Sequence, residues 1–546
     1  MLVHLSQTID AHKAGLSGAA DLLGFALTRA LRLPLALPYA VRTFLLAWLT
    51  NAALKFAPAM GGPRLSVGEN ERDAREGFGT GRTNARRRCA SSVPAALEAL
   101  APRIYVDLTD VLCHAIWHDS CAGIPRVQLE IATRLFSMNP AVCVFGLHRK
   151  KWCELGALLK EADGDIDKAF ALLKETFSDF KFSREGVQRL ITRRRRRLPI
   201  PHHASMPDVK AQDSLFIGGA FWLNKGIADL CERTAANSAN LIVLFHDLIP
   251  LSMPAFTGHD FSRQYREALR LPAHFVVTTE LNRSELKRAR REIDQSPART
   301  CSSVVPLADE FPGSERNERA GLASPRLAIL EGQDFVLCVG TIEIRKNHHA
   351  LLGVWNELAE ERGAALPKLV VAGRRGWKAE ATLMQLEALA QGGPVVFIEA
   401  PTDDELRWLY ASCLFTVFPS YFEGWGLPVG ESFWFGKPCA ASNSKSIAPV
   451  ARDLCVSFSP HHREDMKEAL ERLLNPSTRR LFQRRIEAAP LRRWSEVATD
   501  IETLIAERRP VSDPLTARTE VSPLESSAVA PVLKHDVDPA SSSRSA

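Results

Sequence analysis

The stretch Phe418-Pro-Ser-Tyr-Phe-Glu-Gly-Trp-Gly-Leu-Pro-Val-Gly-Glu431 leads from the end of an apolar run at 414–418 through a glycine-containing loop into a short helix. Pro428 suits a first helical turn, and Gly436 with Pro438 supplies a stop, so the spacing predicts a helix over 428–435 with Glu431 in its first turn. Gly424 and Gly426 remove side chains where a backbone can approach a ligand, and the helix start at Leu427 and Pro428 offers unpaired N–H groups to an anion. A strand, a ligand-accepting turn and a helix in that order form the repeating unit of a doubly wound α/β sheet, which binds ligands at the carboxyl ends of its strands.

The same unit recurs on both sides of this stretch. Short apolar runs at 335–339, 368–372, 395–398 and 438–441 alternate with helical segments, the first of them over 347–360. An earlier series has strands at 103–108, 214–217, 240–245 and 274–277, with a helix over 126–136 reached through a loop. Runs this short and uniformly apolar fit parallel sheets covered on both faces. The expected fold is therefore α/β, with two Rossmann-like domains facing across a cleft. We divide the chain into an apolar extension and linker (1–100), an N-terminal domain (101–320), a C-terminal domain (321–490), a crossing helix (491–509) and a disordered tail (510–546). Trp494, Val497, Ile501 and Leu504 give that helix one apolar stripe.

Composition sets broad bounds. With 546 residues, 46% apolar and 24% charged, the chain is long enough for two or three cores. The net charge of +6 is compatible with phosphate-bearing ligands. Eleven cysteines without C-x-x-C spacing argue against a disulfide framework or a zinc cluster and fit a reducing, cytoplasmic setting. The apolar stretch 31–60 is interrupted by Pro34, Pro38, Arg42 and Lys55, so it reads as lying on a membrane surface rather than spanning it. The basic run Arg193 to Arg197 has no accompanying groove-reading motif, and nucleic acid is not an expected partner.

By spacing alone, Glu423 and Glu431 are better explained as solvated surface charges. Their context decides otherwise: the block 418–446 closely resembles the donor-site signature of glycosyltransferase family 4, the retaining enzymes of the GT-B architecture. Val339-Gly340-Thr-Ile-Glu-Ile-Arg-Lys-Asn347 is similar to the family loop that clamps the donor diphosphate, with Arg345 and Lys346 as its basic pair. Leu369-Val-Val-Ala-Gly-Arg-Arg-Gly-Trp377 resembles the next strand and turn, and 395–410 the segment facing the base. On the N-terminal side, Gly123-Ile-Pro-Arg-Val127 resembles the family's glycine loop, and Phe245-His-Asp-Leu-Ile-Pro250 the segment whose histidine faces the transferred sugar. Departures occur at Thr341, where many members carry arginine, at Thr278-Thr-Glu280, where serine is frequent, and at Pro306-Leu-Ala308, where glycine is common.

The resemblance implies a catalytic set of Arg345, Lys346, Glu423 and His246. The implied donor-binding residues are Glu431, Gly123, Gly340, Gly424, Gly426, Leu427 and Pro428. Arg345 and Lys346 would stabilise the departing diphosphate, Glu423 would hold the sugar, and Glu431 the ribose hydroxyls. His246 would stabilise charge or bind a sugar hydroxyl, and Asp247 would orient its loop. The implied substrates are a nucleoside diphosphate sugar, GDP-mannose first and a UDP-sugar second, and a glycan or lipid-linked acceptor in bacterial polysaccharide synthesis. No cofactor and no metal are expected, and the expected location is the cytoplasm or the inner face of the cytoplasmic membrane. Rival readings are a non-catalytic GT-B partner in an assembly complex and, more remotely, a pyridoxal phosphate-dependent glycan phosphorylase.

Overall fold

The computed structural model describes residues 101–177, 203–257, 260–293 and 301–508. The expectations for the apolar extension, the run Arg193 to Arg197 and the C-terminal tail fall outside them. Two sheets organise the rest. The first runs β4-β3-β2-β1-β5-β6-β7-β8, from β1 (Ile104–Asp107), β2 (Val142–His148), β3 (Lys151–Glu154), β4 (His203–Ala204), β5 (Ser214–Ile217), β6 (Asn240–Phe245), β7 (His274–Val277) and β8 (Ser302–Val304). The second runs β11-β10-β9-β12-β13-β14, from β9 (Phe335–Val339), β10 (Lys368–Gly373), β11 (Val395–Glu399), β12 (Thr416–Phe418), β13 (Cys439–Ser442) and β14 (Cys455–Phe458). The chain thus has the expected GT-B arrangement of two Rossmann-like sheets.

Every ladder of the second sheet is parallel, whereas β3 and β4 pair antiparallel at one edge of the first. A short turn after β2 folds β3 straight back on it, and only antiparallel pairing permits so short a return. The loop expected after β1 is instead the helix Thr109–Trp117, started by the Asp107 carboxylate, which accepts from the Thr109 N–H at 3.0 Å and from its hydroxyl at 2.6 Å. Helices cover both faces of each sheet. Phe216, Ile242 and Val276 point into one core and Leu215, Val243 and Phe275 into the other, which is why these strands read as continuous apolar runs.

In each sheet the strand order reverses beside its first strand, between β1 and β5 and between β9 and β12. Such a reversal opens a crevice at the carboxyl ends. The last helix, Trp494–Glu507, packs its buried Trp494, Val497, Ile501 and Leu504 in the same core as Leu129, Ala132 and Leu135 of the first domain. Glu502 accepts a 2.7 Å bond from the Asn139 amide. The chain therefore ends, as far as it is described, on the domain it began with.

Candidate active site

β9 and β12 flank the reversal of the second sheet, and their following loops carry Gly340 to Lys346 and Pro419 to Gly426. Gly340 continues β9, its N–H donating to the Ala372 carbonyl at 3.0 Å, with the Lys346 alkyl chain beside it. The turn Ile344–Lys346 then aims both cations across at the second loop. Lys346 Nζ donates to Glu423 Oε1 at 2.7 Å, and Arg345 Nη1 lies 2.5 Å from Glu423 Oε2 and 2.8 Å from the Phe422 carbonyl oxygen. Arg345 is gripped from behind by Glu343, at 2.5 Å. Burial alone would raise the Glu423 carboxyl, but Arg345 and Lys346 outweigh it and hold it at about 2. The predicted diphosphate clamp and the predicted sugar carboxylate thus form one ion-paired cluster.

The helix Leu427–Trp434 follows, with left-handed Gly426 as its cap and Pro428 in its first turn. Because this helix starts one residue earlier than predicted, Glu431 is its fifth residue and opens the second turn, a correction to the first-turn placement. Glu431 is buried, and its carboxylate accepts from the Tyr410 hydroxyl at 2.8 Å and from Arg126 Nη1 at 3.4 Å. Arg126 also pairs with Asp403 and donates to the Cys121 carbonyl at 2.8 Å. Burial pushes the Glu431 carboxyl upward and Arg126 pulls it back, leaving it above the ordinary carboxylate range. Arg126 belongs to the first domain, so this cluster bridges the two sheets.

Gly123 caps the helix Ile124–Met138 at φ +64°, and space for a side chain there is open. A positive φ rather than crowding is what asks for glycine. His246, directly after β6, is buried and donates from Nε2 to the Gly218 carbonyl at 2.8 Å. Burial pushes its pKa down to about 4 against that hydrogen bond. The ring is consequently neutral near pH 7 with its proton on Nε2, so Nδ1 is left as an acceptor for a hydroxyl. Of the two roles foreseen for it, charge stabilisation and hydroxyl binding, this chemistry favours the second. Asp247 accepts from the Ile249 N–H at 3.0 Å and so shapes the loop.

Several groups at the site were not singled out in the sequence. Arg126 lies one turn after Gly123, Tyr410 at the end of the base-facing segment and Glu343 two residues before Arg345. All three stand inside quoted motifs, and what marks them is a charge or hydroxyl that the helix and loop geometry turns inward. Arg374 donates to the Ser120 carbonyl at 2.7 Å and to its hydroxyl at 2.8 Å, a further bridge between the domains.

Residues 323–491 match the sequence model of the family described as Glycosyl transferases group 1. The O-antigen chain mannosyltransferase B of Escherichia coli is 28% identical over 229 residues, covering 40% of this chain and 57% of that protein. The serotype-specific mannosyltransferase WbdA of E. coli is 31% identical over 258 residues, covering 46% of this chain and 31% of that protein. The chain therefore aligns with only part of either relative's length. Among solved structures, sucrose-phosphate synthase from Thermosynechococcus elongatus superposes with a TM-score of 0.48 at 14% identity, over 74% of this chain and 99% of that one. The segment that resembles the glycosyl transferases group 1 family, residues 323–491, takes in β9 to β14 and the loops that carry Gly340 to Lys346 and Pro419 to Gly426.

Proposed function

We propose that the protein is a retaining glycosyltransferase that moves a hexose from a nucleoside diphosphate sugar to a glycan or lipid-linked acceptor in polysaccharide synthesis, at the inner face of the cytoplasmic membrane. The observation that carries it is the Arg345–Lys346–Glu423 cluster at the reversal of the second sheet. As the bond between the sugar's anomeric carbon and the phosphate oxygen breaks, its electron pair stays on the diphosphate. Arg345 and Lys346 meet that growing charge from fixed positions, without reorganisation. The acceptor oxygen bonds to the anomeric carbon from the face the diphosphate leaves, and its proton passes to the departing phosphate oxygen. Configuration is retained and no enzyme nucleophile is needed.

Glu423, held ionised, accepts from sugar hydroxyls, and neutral His246 accepts one more through Nδ1. In this reading ribose hydroxyls compete with Arg126 for the Glu431 oxygens. The mannosyltransferase relatives favour mannose as the sugar and GDP-mannose as the donor. Positive charge is already supplied by side chains where a metal would supply it, so we expect turnover in EDTA. The test is a panel of nucleotide sugars assayed by thermal shift, followed by transfer with and without EDTA and magnesium. GDP-mannose should give the largest upward shift. A larger shift with a UDP-sugar reassigns the donor, no shift with any member supports the non-catalytic reading, and magnesium-dependent turnover removes the metal-free mechanism.

A further inference from the structure

The donor loop meets the opposite domain at the Gly424 peptide carbonyl and at Tyr421, whose ring stacks on Phe256 with centroids 5.8 Å apart. The Gly424 carbonyl accepts from the Thr278 hydroxyl at 2.8 Å and from the Asn282 side-chain amide at 2.9 Å. That same amide reaches the Thr278 hydroxyl at 2.8 Å and the His246 carbonyl at 3.3 Å. Thr278 directly follows β7, and Asn282 lies in the first turn of the helix Glu280–Ile293, its N–H bonded to the Thr279 hydroxyl at 3.0 Å. Both side chains are buried, Asn282 completely, and the Asn282 Oδ1 has no partner among the described residues. Gly424 sits so close that a Cβ there would lie 2.6 Å from the His246 carbonyl oxygen.

These contacts bring together two neighbours of the proposed chemistry. Gly424 directly follows Glu423, and the amide that holds it also holds the backbone of His246. On the other side, Arg345 fixes the Phe422 carbonyl. The loop carrying Glu423 is therefore held from its own domain at Phe422 and at Glu423, whose N–H donates to the Ser446 hydroxyl at 2.9 Å, and from the opposite domain at Gly424 and Tyr421. If the domains part, the Gly424 carbonyl and the Asn282 amide trade each other for water, a nearly balanced exchange in which one hydrogen bond is worth about three- to tenfold in population.

We propose that Thr278 and Asn282 are positioning residues that latch the donor loop to the N-terminal domain, so that Glu423 and His246 come to face one another only when the cleft closes. The proposal rests on the glycosyltransferase reading for its effect on turnover, but not for the latch itself. Lid and domain motions of this kind complete catalytic constellations and set many turnover rates.

The test uses the whole chain as Thr278→Val, which keeps the shape and removes the hydroxyl, Thr278→Ser, which restores it, and Asn282→Asp, which turns an amide donor into an acceptor. Two quantities are read: backbone hydrogen exchange of residues 420–427, and kcat, KM and nucleoside diphosphate affinity. Thr278→Val and Asn282→Asp should speed exchange of the loop and lower kcat by about tenfold, with nucleotide affinity changed by less than about threefold. Thr278→Ser should restore both. Unchanged exchange in Thr278→Val overturns the latch, and so does faster exchange with kcat at the wild-type level. If the wild type transfers no sugar, the glycosyltransferase reading fails separately, and loop exchange alone decides whether Thr278 and Asn282 hold the loop.

Discussion

Lys346 is the residue with the fewest structural duties at the site, because its ammonium touches the Glu423 carboxylate and the Phe418 ring face while Arg345 still neutralises Glu423. Lys346→Ala should therefore fold and yet lose about 100- to 1000-fold in kcat, the usual cost of removing one preorganised charge-stabilising group. Steady-state kinetics beside a melting curve check it, and near-normal turnover removes Lys346 from the mechanism. His246 leads to a different expectation. A ring already neutral at pH 7 has no proton to lose as pH rises, so His246→Asn should lower the height of the kcat against pH curve between pH 6 and 8 without altering its shape. A wild-type limb falling above pH 6.5 that vanishes in the variant would mean an imidazolium instead. The identities of Arg345, Lys346, Glu423 and His246 were legible because each stands in a motif; their partners were not. That Glu423 binds both cations depends on how the loops after β9 and β12 meet in the second sheet, and that Arg126 reaches Glu431 from 305 residues away depends on how the two sheets meet; no local spacing encodes either.

At the scale of elements, nine of the fourteen strands among the described residues were legible, whereas β2, β3, β4, β8 and β14 were not. Runs such as Ser214–Ile217 and Asn240–Phe245 are buried along nearly their whole length, so sequence and structure mark the same ends. The helix Thr109–Trp117 was missed because the signal that starts it, an aspartate two residues ahead of its partner, lies in the preceding strand. β14 was missed for lack of a strongly apolar run, since Ser457 is exposed at its middle. The bridge between the helices Ile124–Met138 and Leu427–Trp434 carries a prediction of its own. Arg126 neutralises both Asp403 and Glu431, and its removal leaves the buried Glu431 without an ion-pair partner among the described residues. Arg126→Met should cost about 3 kcal/mol in urea unfolding, as broken buried ion pairs do. It should also push Glu431 further toward its protonated form, so that nucleotide binding weakens as pH falls more steeply than in the wild type. Wild-type stability and a wild-type binding profile would show that this bridge is incidental.

For the molecule as a whole, both sheets bury titratable groups whose charged forms are disfavoured. Burial lowers His246 and His114 to about 4, His274 to about 4 and His348 to about 3, all below the unfolded value near 6.5. Between those values the unfolded chain binds more protons than the folded one, so stability is complete above about pH 6.5 and is lost as pH falls toward 4. Glu423 adds a second window in the same direction, its contribution present above about 4.5 and lost toward 2. Burial pushes Asp107 and Glu130 up to about 7, which acts in the opposite sense over this range, so the histidine contribution is read as a difference: His348→Leu, which removes a ring with no hydrogen-bond partner at either nitrogen among the described residues, should lose less thermal stability than the wild type between pH 6.5 and 4. A decline of equal slope in that variant would place the acid sensitivity elsewhere. The central claim is that the Arg345–Lys346–Glu423 cluster receives a nucleotide sugar and drives transfer. It is tested most directly by supplying the purified chain with GDP-mannose and a mannose-bearing glycan acceptor and following released nucleotide together with the anomeric configuration of the product. We predict GDP release matched by one new α-mannosyl linkage, slowed about 100- to 1000-fold in Lys346→Ala; an inverted product, or no release with any sugar nucleotide that binds, would contradict it.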